Sequence, residues 1–505
     1  MKLSALFSDH MVFQRGKPIR IWGIGEGKVS VTLNSQTLFA ACDKNGKWRI
    51  TFPPLSAGGP YKITLTDSVG TAELNDVMIG EVWLASGQSN MEMITGLTKD
   101  GFKFAKEYGK NSNIRLFTVP RRTEPDFRTS NWHFEGVAAV DTPWQVCTEE
   151  NALHFSAIGF YFADYLQRKE NITVGIISCN FGGARIESFI DSERIFECDE
   201  LSYLKARCQE TLKTLDLDEH KKDYERHMRE RDVICNSVDA LSIARNMADM
   251  HEFAITPLFK WPEPFSFGPY HWFWPGVFYE NMVKRIAPFH IKGVLWYQGE
   301  ANAVDSQYYC KLFEIMVKLW REIWNDSEMP FITVQLAQNN HAPAPECFPL
   351  LIEQQIKASR KIDNVYIVTT SDIGEKDNIH SIKKHEIGER IFLAAESEVY
   401  GNGGEYCGPL YKSARKAGNK LFLSFEHAEN GLKIKGGAVS ELFIAGAGGE
   451  YKPANAEING SELVVWNDEI SNPQSVKMAF NNFFEVNLYN KEGFIAAPFR
   501  TGNIE

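Results

Sequence analysis

The chain has 505 residues, 44% of them hydrophobic, which is enough for well-packed cores and suggests about three domains. Its 54 basic and 65 acidic side chains give a formal net charge of -11, which argues against nucleic acid or an anionic membrane surface as the main partner. No stretch approaches the roughly 20 apolar residues of a membrane span. After Met1-Lys2 there is no long apolar run before Asp9-His10, so no secretion signal is read. Nine cysteines, an odd number with no C-x-x-C pair, read as mostly buried thiols of a reducing compartment. A cytoplasmic location is therefore expected, or a periplasmic or secreted one if a leader has been removed.

In chain order, residues 1–75 alternate like half-buried strands. Val29, Val31 and Leu33 form one, Trp48, Ile50 and Phe52 another, and Tyr61, Ile63 and Leu65 a third. Gly, Asn and Pro turns separate them, as in a small β-sandwich. From residue 76 to 400 the texture becomes strand–helix–strand, which argues a parallel α/β sheet. The strands are read at Val77 to Ala85, Thr173 to Cys179, Gly293 to Tyr297 and Val365 to Thr370. Ser156 caps a helix with Ile158, Phe162 and Leu166 on one face. Leu312, Met316, Leu319 and Ile323 mark a second helix, and Ile387 and Ile391 a third. An insertion at about 191–275 starts charged and helical, including His220 to His227, as a solvated face with i,i+4 pairs would. It ends dense in aromatics: Trp261, Phe265, Phe267, Tyr270, His271, Trp272, Phe273 and Trp274. These rings either roof a sugar site or glue the insertion to the core. Residues 401–505 return to short strands, such as Lys420 to Phe425 and Glu462 to Trp466, and form a second β domain.

The chemistry sits at the strand ends. Ser86-Gly87-Gln88-Ser89-Asn90-Met91 follows the first strand, so the Ser89 hydroxyl can be presented on a tight turn. Met91 stands where a G-x-S-x-G elbow would have its second glycine, which weakens an α/β-hydrolase reading but not a serine nucleophile. The later strands run into Asn180-Phe181-Gly182-Gly183, Gln298-Gly299-Glu300 and Asp377-Asn378-Ile379-His380. In an open parallel sheet such ends face one crevice. His380 can take the serine's proton, and Asp377, three residues earlier, can hold the imidazole. Asp372 and Glu375 are rival partners on the same loop. The Ser89 and Gly182 N–H groups and the Gln298 amide are candidate oxyanion donors.

These blocks resemble those of SGNH hydrolases, and their wording is similar to the sialate O-acetylesterase branch. The matching stretches are LFSDHMVFQRGKPIRIWG, GEVWLASGQSNMEM, FSAIGFYFADYL, GVLWYQGEANA and LYNKEGFIAAPFRT. The resemblance implies a flavodoxin-like SGNH domain at 76–400, flanked by the N-terminal and C-terminal β-sandwich domains. It implies an esterase acting on O-acetylated sugars, with Ser89, Asp377 and His380 as triad and Gly182 and Gln298 as oxyanion donors. Two departures concern substrate preference: Ser381 where the branch often has proline, and Cys179-Asn180-Phe181-Gly182-Gly183 where it often has SWGG.

Further candidates are weaker. Arg185 could bind a substrate carboxylate as a bidentate pair, or pair with Glu187. Trp272 could stack on a sugar, and Glu300 could act on substrate or support its turn. His380 and His385 lack a metal-ligand cluster, and no phosphate or dinucleotide loop is present, so neither metal nor cofactor is expected. The expected partner is a glycan or small molecule carrying O-acetyl groups. Acetylated xylan is an alternative substrate, and a non-catalytic carbohydrate-binding protein is an alternative of another class.

Overall fold

The computed structural model describes residues 1–121, 143–237, 265–502 and 504. Trp261 and the stretch 238–264 of the insertion lie outside the described residues. The chain forms two compact units. One is Met1–Trp296 with Leu312–Phe331; the other is Tyr297–Lys311 with Ile332–Glu505.

The first unit opens with β1 (Lys2–Leu3), β2 (Val12–Gln14), β3 (Ile19–Ile24), β4 (Lys28–Leu33), β5 (Gln36–Ala41), β6 (Lys47–Phe52) and β7 (Gly58–Thr66). The period-2 pattern works as read: Trp48, Ile50 and Phe52 are buried while Lys47, Arg49 and Thr51 face outward. β1, β3 and β6 make a small antiparallel sheet. The strand β8 (Thr71–Gly87) is longer than expected and runs through the anticipated domain boundary at residue 75. Its first part pairs antiparallel with β7 and its middle parallel with β2. From Ile79 to Gly87 every residue is buried, as suits a strand covered on both faces.

β8 also pairs in parallel with β11 (Val174–Asn180), which in turn pairs in parallel with β9 (Ile114–Thr118). β10 (Gln145–Val146) closes that edge antiparallel, and β12 (Gly293–Tyr297) lies on the other side of β8. The sheet is therefore mixed, not wholly parallel as expected. The alternating signal of residues 58–66 belongs to β7, which runs antiparallel to β8 in the same sheet. The helix Ala157–Glu170 begins at Ser156, whose hydroxyl accepts from the Gly159 N–H at 3.3 Å. Its Ile158, Phe162 and Leu166 are fully buried.

In the second unit β13 (Phe331–Val334) and β14 (Val365–Val368) neighbour each other. The helices Cys347–Lys361 and His385–Ala394 lie on either side of β14 in the chain. Beyond residue 400 all pairs are antiparallel: one four-stranded sheet contains Leu410–Ala417 and Lys420–Glu426, another contains Leu442–Gly446 and Pro473–Met478, and Leu432–Ile434 pairs with Leu488–Asn490. The chain is thus an α/β protein with a large mixed sheet and smaller antiparallel ones. Among the described residues no helix is long and apolar enough to cross a membrane.

Candidate active site

Strand register builds the serine turn. β11 and β8 pair to their last residues, with Asn180 opposite Gly87, so their following turns begin side by side. Gly87 has φ +138°, a conformation that disfavours any side chain, and lets the chain break at once into the short helix Ser89–Glu92. The Met91 and Glu92 N–H groups close that helix on the Gln88 carbonyl. The Phe181 N–H donates to the Gly87 carbonyl at 3.1 Å and ties the second turn to the first. A Cβ placed on Gly182 would stand 3.7 Å from the Ser89 Cβ and 3.2 Å from Glu92 Oε2. Glycine allows this close approach. Among the described residues neither the Ser89 nor the Gly182 N–H is occupied by a hydrogen bond. Two backbone donors and a serine hydroxyl are thereby gathered at one strand end.

Arg121 braces these turns. It reaches Glu92 at 3.3 Å and donates to the Asn180 backbone and side-chain oxygens, each at 3.3 Å. Cys179 is fully buried, and burial pushes its thiol up to about 12, so it packs and does not react. Arg185 is also buried and lies 3.1 Å from Glu187, with its guanidinium 5.4 Å from the Phe273 ring centre. This is the ion-pair alternative read from sequence.

The insertion's aromatics divide. Phe265 and Tyr270 pack with Tyr224 of the charged helix into a small core, against which Trp272 leans. The helix carries short-range pairs, Arg226 with Asp223 at i,i+3 and Arg229 with Glu225 at the expected i,i+4 spacing. Trp272 also approaches the Gly182-Gly183 turn: its indole nitrogen lies 3.7 Å from where a Cβ on Gly183 would stand. His271 stacks on it with centroids 4.2 Å apart, and burial pushes that imidazole down to about 3.

In the second unit Gln298 is fully buried. Its side-chain nitrogen donates to Asn302 Oδ1 at 2.7 Å, and its carbonyl accepts from the Tyr309 hydroxyl at 2.9 Å and from Gln355 Nε2 at 3.2 Å. Glu300 is partly buried and opens a short helical stretch, Glu300–Tyr308.

The His380 loop has no regular structure, and side chains hold it. Asp372 accepts two bonds of 2.7 Å from Arg390. Glu375 accepts from the Ile382 N–H at 3.0 Å and from Asn378 Nδ2 at 3.1 Å. Asn378 clasps His380 by both backbone groups, each at 3.1 Å. The two rival carboxylates are therefore engaged elsewhere. The structure does not bring Asp377 to His380: Asp377 is exposed, and among the described residues no hydrogen bond joins them. Burial, and then the nearby Lys384 ammonium, push the His380 imidazole down to about 4, so at neutral pH it is in its proton-accepting form.

A carbohydrate esterase family model, sialic acid-specific acetylesterase, matches residues 267–395. Sialate O-acetylesterase of Mus musculus is 23% identical over 449 residues, covering 81% of this chain and 76% of the mouse protein. The Homo sapiens sialate O-acetylesterase is 22% identical over 465 residues, covering 84% and 76%. A solved carbohydrate acetylesterase from Xanthomonas citri superposes with a TM-score of 0.78 at 27% identity, covering 99% of each chain. The chain carries a carbohydrate-esterase domain of the sialic acid-specific acetylesterase type. It is homologous at the family level to sialate O-acetylesterases and related carbohydrate esterases, and is a carboxylic ester hydrolase of that type.

The acetylesterase domain match contains Trp272, Gln298, Glu300, Asp377 and His380, while Ser89 and Gly182 precede it. It also contains a residue that the sequence reading missed. Lys384 is wholly buried, with its ammonium 5.9 Å from the Tyr297 ring centre. Burial lowers it to about 8, against the opposing pull of Glu300, Glu375 and Glu386. A signal was available: Lys384 falls on the stripe of Ile387, Gly388 and Ile391, where an apolar residue is expected.

Proposed function

We propose that this carbohydrate esterase is a serine enzyme that removes O-acetyl groups from sialic acids through an acetyl-enzyme. Ser89 attacks the acetyl carbonyl while His380 takes its proton, then hands it to the departing sugar hydroxyl. Water activated by His380 releases acetate and restores Ser89. The Ser89 and Gly182 N–H groups and the Gln298 amide stabilise the oxyanion. Asp377 is assigned as the acid that orients His380 when substrate is bound, since catalytic hydrogen bonds often tighten only in the complex. Trp272 supplies an aromatic face for the sugar, and Glu300 acts through its own turn. In this reading the α/β part, residues 76–400, is a flavodoxin-like SGNH domain between two β domains.

The observation that supports this reading best is the pair of unoccupied N–H groups, at Ser89 and Gly182, set beside the serine by strand register. Donors fixed before reaction stabilise developing charge without reorganisation. The test is hydrolysis of p-nitrophenyl acetate and O-acetylated sialic acid by wild type and Ser89→Ala in parallel. Activity on both that vanishes in the variant supports the reading. Activity on the nitrophenyl ester alone would turn attention to acetylated xylan. Sugar binding without cleavage of either ester would contradict a catalytic role.

A further inference from the structure

We propose that the cleft between the β3–β6 face and residues 279–288 is a second binding site, separate from the serine turn, which takes an acidic sugar by its carboxylate. The inference stands on the cleft alone and does not rest on the serine-esterase reading.

The cleft holds about 590 Å³, within the roughly 300–1,000 Å³ of small-molecule sites. All of its lining belongs to the first unit, and none of it comes from the turns that carry Ser89 and Gly182. β3 and β6 supply Arg20, Arg49 and Thr51. Residues 279–288 supply Lys284 and Pro288. The third wall is Ile323, near the end of the helix Tyr309–Trp324, with Asn325 just beyond it.

Strand register brings the arginines together. Arg20 stands opposite Thr51 and Arg49 opposite Trp22, so the two arginines are diagonal neighbours on one face of an antiparallel pair. Ile19, Ile21, Trp48 and Ile50 are buried on the other face, and the period of two fixes both arginines outward. Neither guanidinium has a hydrogen bond or an ion pair among the described residues. The third cation, Lys284, is matched, with its ammonium 2.8 Å from Glu280. Of the nine lining residues three are cationic and none is acidic, in a chain with 65 acidic side chains against 54 basic ones. Burial, and then the neighbouring Arg49 charge, push the Arg20 guanidinium below its ordinary value.

Two guanidiniums side by side repel each other. An anion that bridges them removes the repulsion and gains charge-assisted hydrogen bonds. A carboxylate matches the planar guanidinium fork. Free phosphate engages the same cations but leaves most of the cleft empty. A sugar ring fills it. The ring hydroxyls meet Thr51 and Asn325, whose side chains have no hydrogen bond among the described residues, and its C–H face lies on Pro288 and Ile323.

The test is calorimetric titration of the full chain with glucuronate, glucose and inorganic phosphate. Glucuronate should bind the wild type. Glucose, which keeps the ring and lacks the carboxylate, should bind about tenfold more weakly or worse. Arg49→Gln should weaken glucuronate roughly tenfold, and Arg20→Gln combined with Arg49→Gln should abolish its binding. Arg49 is exposed, so the single variant tests the cleft even if the double variant fails to fold. Hydrolysis of p-nitrophenyl acetate should be the same in Arg49→Gln as in wild type, and a matching fall would overturn the claim of a separate site. Glucuronate that does not bind the wild type, or binds it no better than Arg49→Gln, would overturn the proposal. So would phosphate that binds as tightly as glucuronate, since the cleft would then be a site for the free oxyanion.

Discussion

Ser89 and Gly182 are held chiefly by backbone, with the Arg121 side chain bracing their turns. Two strands pair to their last residues, one hydrogen bond joins the turns that follow, and glycines permit the close approach. His380 is held by side chains. An Asp–Arg pair, a glutamate and an asparagine hold a loop that has no ladder of its own. The contrast suits the two tasks proposed for them. Oxyanion donors must not move as charge develops, so they belong on rigid strand ends. A general base must change protonation state and orientation within one cycle, and a loop with adjustable side-chain contacts permits that.

The comparison can be tested from both sides. The largest effect is expected at the nucleophile: Ser89→Ala should lower kcat by on the order of 10⁴-fold or more. Loss of less than tenfold would move the nucleophile elsewhere. Next comes Gln298→Ala, which should lower kcat by about 10²–10³ if its amide is an oxyanion donor. Unchanged kcat would remove it from that role. Gly182→Ala should lower kcat by roughly 10²-fold, because a new Cβ presses on Glu92 and displaces a fixed donor. If the backbone frame were slack, this variant would be nearly silent.

The His380 loop makes a pH prediction. His380 lies near 4 in the folded protein, below the ordinary 6.5. If its neutral form is the base, as proposed, kcat/KM should hold as pH falls through 6.5 and decline only toward 4. The sign for stability agrees. Between those values the unfolded chain binds the proton and the folded one does not, so acidification across that window favours unfolding. An acid limb centred at 6.5 would contradict the lowered His380 value. The smallest effect on substrate discrimination is expected at Arg185. Arg185→Ala takes from Glu187 a buried partner and should cost about 3–5 kcal/mol of stability. The ratio of KM for acidic sugars to KM for neutral esters should not change. A selective rise for acidic sugars would restore Arg185 as a carboxylate reader.

Much of this was legible in the sequence because it depends on short-range patterns. The buried runs at Val77 to Ala85 and Gly293 to Tyr297, the Ser156 cap and the alternation at Trp48, Ile50 and Phe52 follow from period and capping chemistry. The turn residues at Ser89 and Gly182 stood out for the same reason. Three things were not readable. The direction of strand pairing, which makes the sheet mixed, is set by partners far along the chain. The length of β8 was hidden because its first part alternates and its second part does not. The partners of Asp372 and Glu375 depend on Arg390 and Ile382, which spacing alone could not choose. Lys384 was missed because a lysine beside a histidine reads as surface, although its place on the Ile387–Ile391 stripe marked it as inward.

The most direct measurement is mass spectrometry of enzyme quenched during turnover of an acetyl ester, followed by peptide mapping. The account predicts one acetyl group on the peptide that contains Ser89, formed in wild type, accumulating when His380 is replaced by alanine and a reactive ester is supplied, and absent from Ser89→Ala. An acetyl group on another residue, or steady acetate release from Ser89→Ala, would contradict it.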